Sequence, residues 1–180
     1  MNPSKIFERM REDHRNVLER IRVLDVAAAA IPREAAGDWP GAETRQVLAL
    51  LRRQFQTHMA AEDEVLYPAL AEALPVARPS MDPLMADHGA LRMMLADLEQ
   101  ELEEPASDAR NEQIGVQLRD LADLLRIHIR KEEAVVFTIA ERALNPREVE
   151  ALAARMDRGP AGQVRSPQGP AAGPSKGAVS

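Results

Sequence analysis

Two short segments of this chain carry the same pair of chemical groups at the same spacing, His58-x-x-x-Glu62 and His128-x-x-x-Glu132. On a helix, residues four apart share one face, one turn above the other. Each pair therefore aims an imidazole and a carboxylate the same way, and such donors suit iron, zinc, copper or nickel. The surrounding face is apolar. It reads Ile114, Leu118, Leu121, Leu125, His128, Glu132, Val135, Ile139 in one case and Val47, Leu51, Gln54, His58, Glu62, Val65, Ala69 in the other. An uncompensated carboxylate there costs on the order of several kcal/mol. A cation is the natural compensation.

The chain has four histidines, and the remaining two lie on stripes of the same kind. His14 belongs to Phe7, Met10, His14, Val17, Ile21, Leu24, and His88 to Leu84, His88, Leu91, Leu95, Leu98, Leu102. A lone core histidine is more often a hydrogen-bonded structural residue than a ligand. Four of them on four inward faces, with two carboxylates, read as one set. The candidate metal ligands are His14, His58, Glu62, His88, His128 and Glu132. Asp13, Asp63, Glu64, Asp87 and Glu133 fall beside the stripes and are expected to be solvated or to orient the ligands.

Four long helices must position this set. The first is expected from Asn2-Pro3, a cap followed by proline, to about Ala30, ending at Pro32 and the Ala36–Gly41 stretch. That stretch holds the only tryptophan, Trp39, expected to plug the loop onto the bundle. The second runs from about Ala42 to Ala73, with a kink just past its motif because Pro68 removes a backbone hydrogen bond. Tyr67, five residues after Glu62, is expected to turn off the stripe and serve packing. The third, capped by Ser80 or Asp82, runs to about Glu104, with Met81, Met85, Met93 and Met94 as irregular core filler. The fourth, capped by Ser107, runs to about Leu144. Asn145, Pro146 and Glu148 then form a capping signature for a short fifth helix to about Asp157.

The order of a lone-histidine helix followed by a His-x-x-x-Glu helix occurs twice, with 44 residues from His14 to His58 and 40 from His88 to His128. This predicts an all-α, up-down-up-down four-helix bundle made of two hairpins around a pseudo-twofold axis. Six donors are too many for one tetrahedral zinc ion. They suit two ions if carboxylates bridge and solvent fills the rest. The expectation is a two-iron centre with Glu62 and Glu132 bridging and room for a small exogenous ligand.

Composition narrows the class. Helix formers dominate, aromatics are only 3 %, and no alternating strand pattern stands out. The net charge of −6 and the absence of a basic cluster argue against nucleic acid. Without cysteine there is no thiolate ligand, disulfide or cysteine nucleophile. No apolar run suggests a signal peptide or a membrane span, so a cytoplasmic location is expected. One bundle domain is expected over 1–157. Residues 158–180 hold five Gly, four Pro and no acidic residue, and are expected to form a disordered tail. Leu48 and Leu124, off the inward stripes, fit either a wider core or a homodimer face. Glu-x-x-His, the ferritin-type spacing, is absent, as is the His-Glu-x-x-His zinc-protease motif.

In these residues and their spacing, the chain resembles the hemerythrin-like, or HHE cation-binding, family. Besides the six donors, the resemblance rests on Glu12-Asp13-His14-Arg15, Glu64-Val65-Leu66-Tyr67-Pro68 and Asp87-His88-Gly89-Ala90-Leu91-Arg92, and covers Met1 to about Leu144. It implies a non-heme diiron centre, oxo- or hydroxo-bridged, that binds O2, peroxide or NO. Oxygen-carrying members have five histidines, two of them four apart on the third helix. Here Leu84 and Arg92 occupy the positions at that spacing from His88. One metal position thus has less protein protection, which disfavours reversible oxygen carriage. The pattern favours reaction with a small oxidant, as in relatives that decompose hydrogen peroxide. A non-catalytic iron, O2 or NO sensor, or an iron-handling protein, is the alternative.

Overall fold

Residues 5–31 and 39–158 are described by a computed structural model. Among them there is no strand, and the helices assemble into four rods. The first rod is α1 (Lys5–Arg20) and α2 (Arg22–Ala29), the second α3 (Gly41–Ala61) and α4 (Tyr67–Ala73). The third is α5 (Arg78–Glu103), and the fourth α6 (Asp108–Lys131) and α7 (Thr138–Ala143). A short α8 (Pro146–Arg158) follows. Each rod packs against its neighbours in sequence, and α2 also packs on α6, closing the ring expected of an up-down-up-down bundle. The expected helix start at Asn2-Pro3, the residues 32–38 and the tail beyond Arg158 lie outside the described residues.

Local sequence explains most boundaries. Ser107 caps α6 by accepting from the Arg110 N–H at 3.2 Å. Asn145 accepts from the Arg147 and Glu148 N–H groups while its own N–H donates to Glu148, closing the capping box of α8. The start of α5 differs from expectation. A single 3-10 turn, Pro75–Ala77, runs straight into it, and no side chain caps it, so neither Ser80 nor Asp82 has that role. Pro79 fits the first turn because its missing N–H is one of the helix's unsatisfied donors anyway.

The second and fourth rods share a feature not expected. Directly after each motif the helix widens into a π turn, Glu62–Leu66 in one and Glu132–Phe137 in the other. Pro68 follows the first, where a proline kink was expected, but the second has no proline. The shared element is the motif, and single π turns inside helices gather at functional sites. Each inserts about one residue into the turn and shifts the inward face. Val136 and Ala140 are buried where Val135 and Ile139 were expected, and Val135 is 37 % exposed. Leu70 likewise takes the place expected for Ala69.

Two apolar clusters fill the bundle. One holds Ile21, Leu51, Leu91, Leu118 and Leu125, and the other Phe7, Leu66, Leu84, Val136 and Phe137, with Val149, Leu152 and Met156 of α8 closing its end. Every candidate donor lies at the boundary, between an apolar neighbour of one cluster and one of the other. Met10 and Val17 flank His14, and Leu84 and Leu91 flank His88. Leu48 is core, and Leu124 and Trp39 pack against it. Met81 is buried as expected, but Met85 and Met93 are exposed rather than core filler.

Candidate metal centre

The packing of the two clusters brings all six candidate donors together. Glu62, Glu132, His88, His14 and His128 are buried, and His58 is largely so. His14 Nε2 lies 3.1 Å from His58 Nε2, and His88 Nε2 lies 3.1 Å from His128 Nε2. Two imidazoles bound at right angles to one ion, at metal–nitrogen distances near 2.1 Å, place their nitrogens about 3.0 Å apart. His58 Nε2 approaches Glu62 Oε1 at 2.7 Å, yet neither Glu62 oxygen is met in a hydrogen-bonding direction. Lone pairs that converge without hydrogen bonds are the signature of a cation site.

The donors form two groups compatible with a metal ion. One is His14, His58, Glu62 and Glu132, and the other Glu62, His88 and His128. Glu62 belongs to both, with Oε1 towards His58 and Oε2 3.4 Å from His88 Nε2.

The outer nitrogens are held by carboxylates, and the pattern repeats about the pseudo-twofold axis. His14 Nδ1–H donates to Glu133 at 2.9 Å, and His88 Nδ1–H donates to Asp63 at 2.7 Å. That fixes the tautomer in which Nε2 keeps a lone pair turned inward. Asp13 lies 3.5 Å from His58 Nδ1, and Asp87 lies 3.7 Å from His128 Nδ1. Arg92 donates to Asp63 and Lys131 to Asp87, so these acids are themselves anchored. Glu133 and Asp63 thus hold histidines by hydrogen bonds, Asp13 and Asp87 lie beside the other two, and Glu64 is exposed.

A model of the hemerythrin HHE cation binding domain family matches residues 5–140. The chain belongs to that family. No curated protein matches it. As an HHE domain it is a cation-binding protein, and its six inward donors fit that role. Among the described residues, no helix is long and apolar enough to cross a membrane.

Electrostatics at the HHE site follow from burial and proximity. Burial pushes the Glu62 carboxyl up, and the Glu132 charge pushes it further. Burial would also raise Glu132, but His14, 3.3 Å away, and the other nearby imidazoles bring it below its ordinary value. For His14 burial opposes the charge, yet its contact with Glu132 raises it. His58 behaves likewise: burial lowers it, and Glu62 and Asp13 hold it well above the usual imidazole value. Burial dominates at His128, which falls to about 4.

Tyr67 is the residue that the helical spacing misplaced. It is 2 % exposed, and its hydroxyl donates to Glu132 Oε1 at 2.9 Å. Five residues after Glu62 is off the stripe on an α-helix but in register across a π turn. Its ring stacks on His88, with centroids 5.8 Å apart, as the ring of Phe137 stacks on His14 at 5.5 Å. Phe137 is also five residues after its glutamate, so this matched aromatic was the available signal.

Proposed function

We propose that this HHE protein holds two non-heme iron ions on His14, His58, Glu62, His88, His128 and Glu132, and reacts with a small oxidant, hydrogen peroxide first. The observation that carries this reading is the pair of donor groups sharing Glu62. The six donors fall into two groups rather than around one point, and a buried anion common to both groups is suited to bridge them. When bound, iron supplies the redox and Lewis-acid chemistry that O2, NO and peroxide require.

The chain's own residues do the rest. Glu133 and Asp63 hold His14 and His88 in the productive tautomer. Glu62 and Glu132 hold negative charge in an apolar layer, where it is strongest. A cavity of about 20 Å³ opens beside His14, His58, Glu62 and His128, walled on its apolar side by Val17, Phe55, Met59, Leu125 and Ile129. That is room for about one water-sized molecule, so the apolar walls favour a very small ligand over an organic substrate.

The test is peroxide consumption and O2 release by protein loaded anaerobically with iron, beside zinc-loaded protein and His128→Ala. Turnover confined to the iron-loaded wild type is expected. An iron-loaded protein that binds the oxidant or NO but turns nothing over would favour the sensing or iron-handling reading instead.

A further inference from the structure

The donor set obeys the pseudo-twofold axis closely, with one exception. The Nε2–Nε2 distances are 3.1 Å in both halves. His14 Nε2 lies 3.3 Å from Glu132 Oε2, and His88 Nε2 lies 3.4 Å from Glu62 Oε2. The two motifs themselves differ: His58 Nε2 to Glu62 is 2.7 Å, whereas His128 Nε2 to Glu132 is 3.9 Å. The chemical difference between the halves that touches a motif glutamate is the Tyr67 hydroxyl. It holds Glu132 Oε1, and Phe137 offers Glu62 nothing comparable.

We infer that Tyr67 is a positioning residue that makes the two metal positions of the proposed centre inequivalent. Its hydroxyl draws Glu132 away from His128 and occupies Oε1, leaving Oε2 directed at His14. The His14–His58 position then has two carboxylates, Glu62 and Glu132. The His88–His128 position has Glu62 alone, in keeping with the two donor groups. The inward asymmetry is thus built by one phenol in a chain whose histidines are evenly shared between the halves.

This rests on the proposed two-metal reading, and the experiment separates the two. Wild type, Tyr67→Phe, Phe137→Tyr and the double swap are loaded with Mössbauer-active iron, and iron per chain is measured alongside. The wild type is expected to give two distinct quadrupole doublets. Tyr67→Phe keeps the ring and removes the hydroxyl, so its doublets converge towards one. Phe137→Tyr supplies the matching phenol and also converges, and the double swap separates them again. A role limited to packing would not produce that restoration. Unchanged doublets in both single variants would overturn the inference and leave the two-iron reading standing. A visible phenolate-to-iron band in the wild type, lost in Tyr67→Phe, would overturn it too, because the phenol would then be a ligand. Wild type that takes up no iron would defeat both.

Discussion

Replacing Glu62 by glutamine should stabilise the metal-free protein while removing its response to metal. Glu62 is fully buried, and neither carboxylate oxygen has a hydrogen-bond partner. Burial and the neighbouring Glu132 charge raise its folded-state pKa, so the native state is penalised once the group ionises. The sign follows: a carboxylate raised on folding costs stability above its unfolded value, and the penalty grows as pH rises, so it is larger at pH 8 than at pH 6. Glutamine has the same shape without the charge. An unsatisfied buried polar group costs roughly 1–3 kcal/mol, and more when charged. Glutamine recovers only the part of that cost due to the charge, so the melting temperature of metal-free E62Q at pH 8 should exceed that of wild type by about 2–4 °C for each kcal/mol recovered. Towards pH 6 the gain shrinks, because His58, raised by Glu62, becomes charged and needs its counter-ion. With metal the order reverses. Each ion at a thousandfold excess over its Kd adds about 4 kcal/mol to the wild type, and E62Q lacks the donor common to both groups. Calorimetric scans with and without metal, at both pH values, measure all of this. A metal-free E62Q less stable than wild type at pH 8, or one stabilised by metal as much as wild type, would refute the reasoning.

Three further outcomes are expected. Metal uptake at pH 7 should release protons, since His14 and His58 are raised above 6.5 by neighbouring carboxylates, whereas His128 near 4 is already neutral. A weakly buffered indicator dye reads this. The same two shifts help the metal-free protein below pH 6.5, and the help fades as pH rises through their raised values, so apparent metal affinity should climb with pH. Asp63→Asn, which weakens the hold on His88 Nδ1, should cost roughly 10–100-fold in metal affinity with little change in helicity. Gly115→Ala would place a Cβ 2.3 Å from the Ile31 side chain, so the overpacking cost of about 1–3 kcal/mol should outweigh the helix-propensity gain. Denaturant unfolding of that variant should show a lower midpoint.

The convergence of the six candidate donors was legible in the sequence because each interrupts an apolar stripe of α-helical period, and residues four apart stay on one face until the helix changes. The pairing of hairpins was legible from the repeated order of histidines. What the period could not give is the register beyond Glu62 and Glu132. A π turn has no composition signature of its own, and the proline after the first hid the fact that the second needs none. Tyr67, Phe137, Leu70 and Val136 all lie past those turns, which is why the face drawn at α-helical spacing ran through Ala69, Val135 and Ile139 instead. The start of α5 escaped for a different reason. Ser80 and Asp82 resemble caps, but Pro75 and Pro79 begin the helical path a turn earlier, leaving both inside the helix.

The central claim is that one chain holds two iron ions on these six residues. Anaerobic titration with ferrous iron, read as bound metal per chain after removal of free ion, tests it most directly. Two ions per chain are expected in the wild type, with E62Q losing both. A plateau at one ion, or at none, would contradict it.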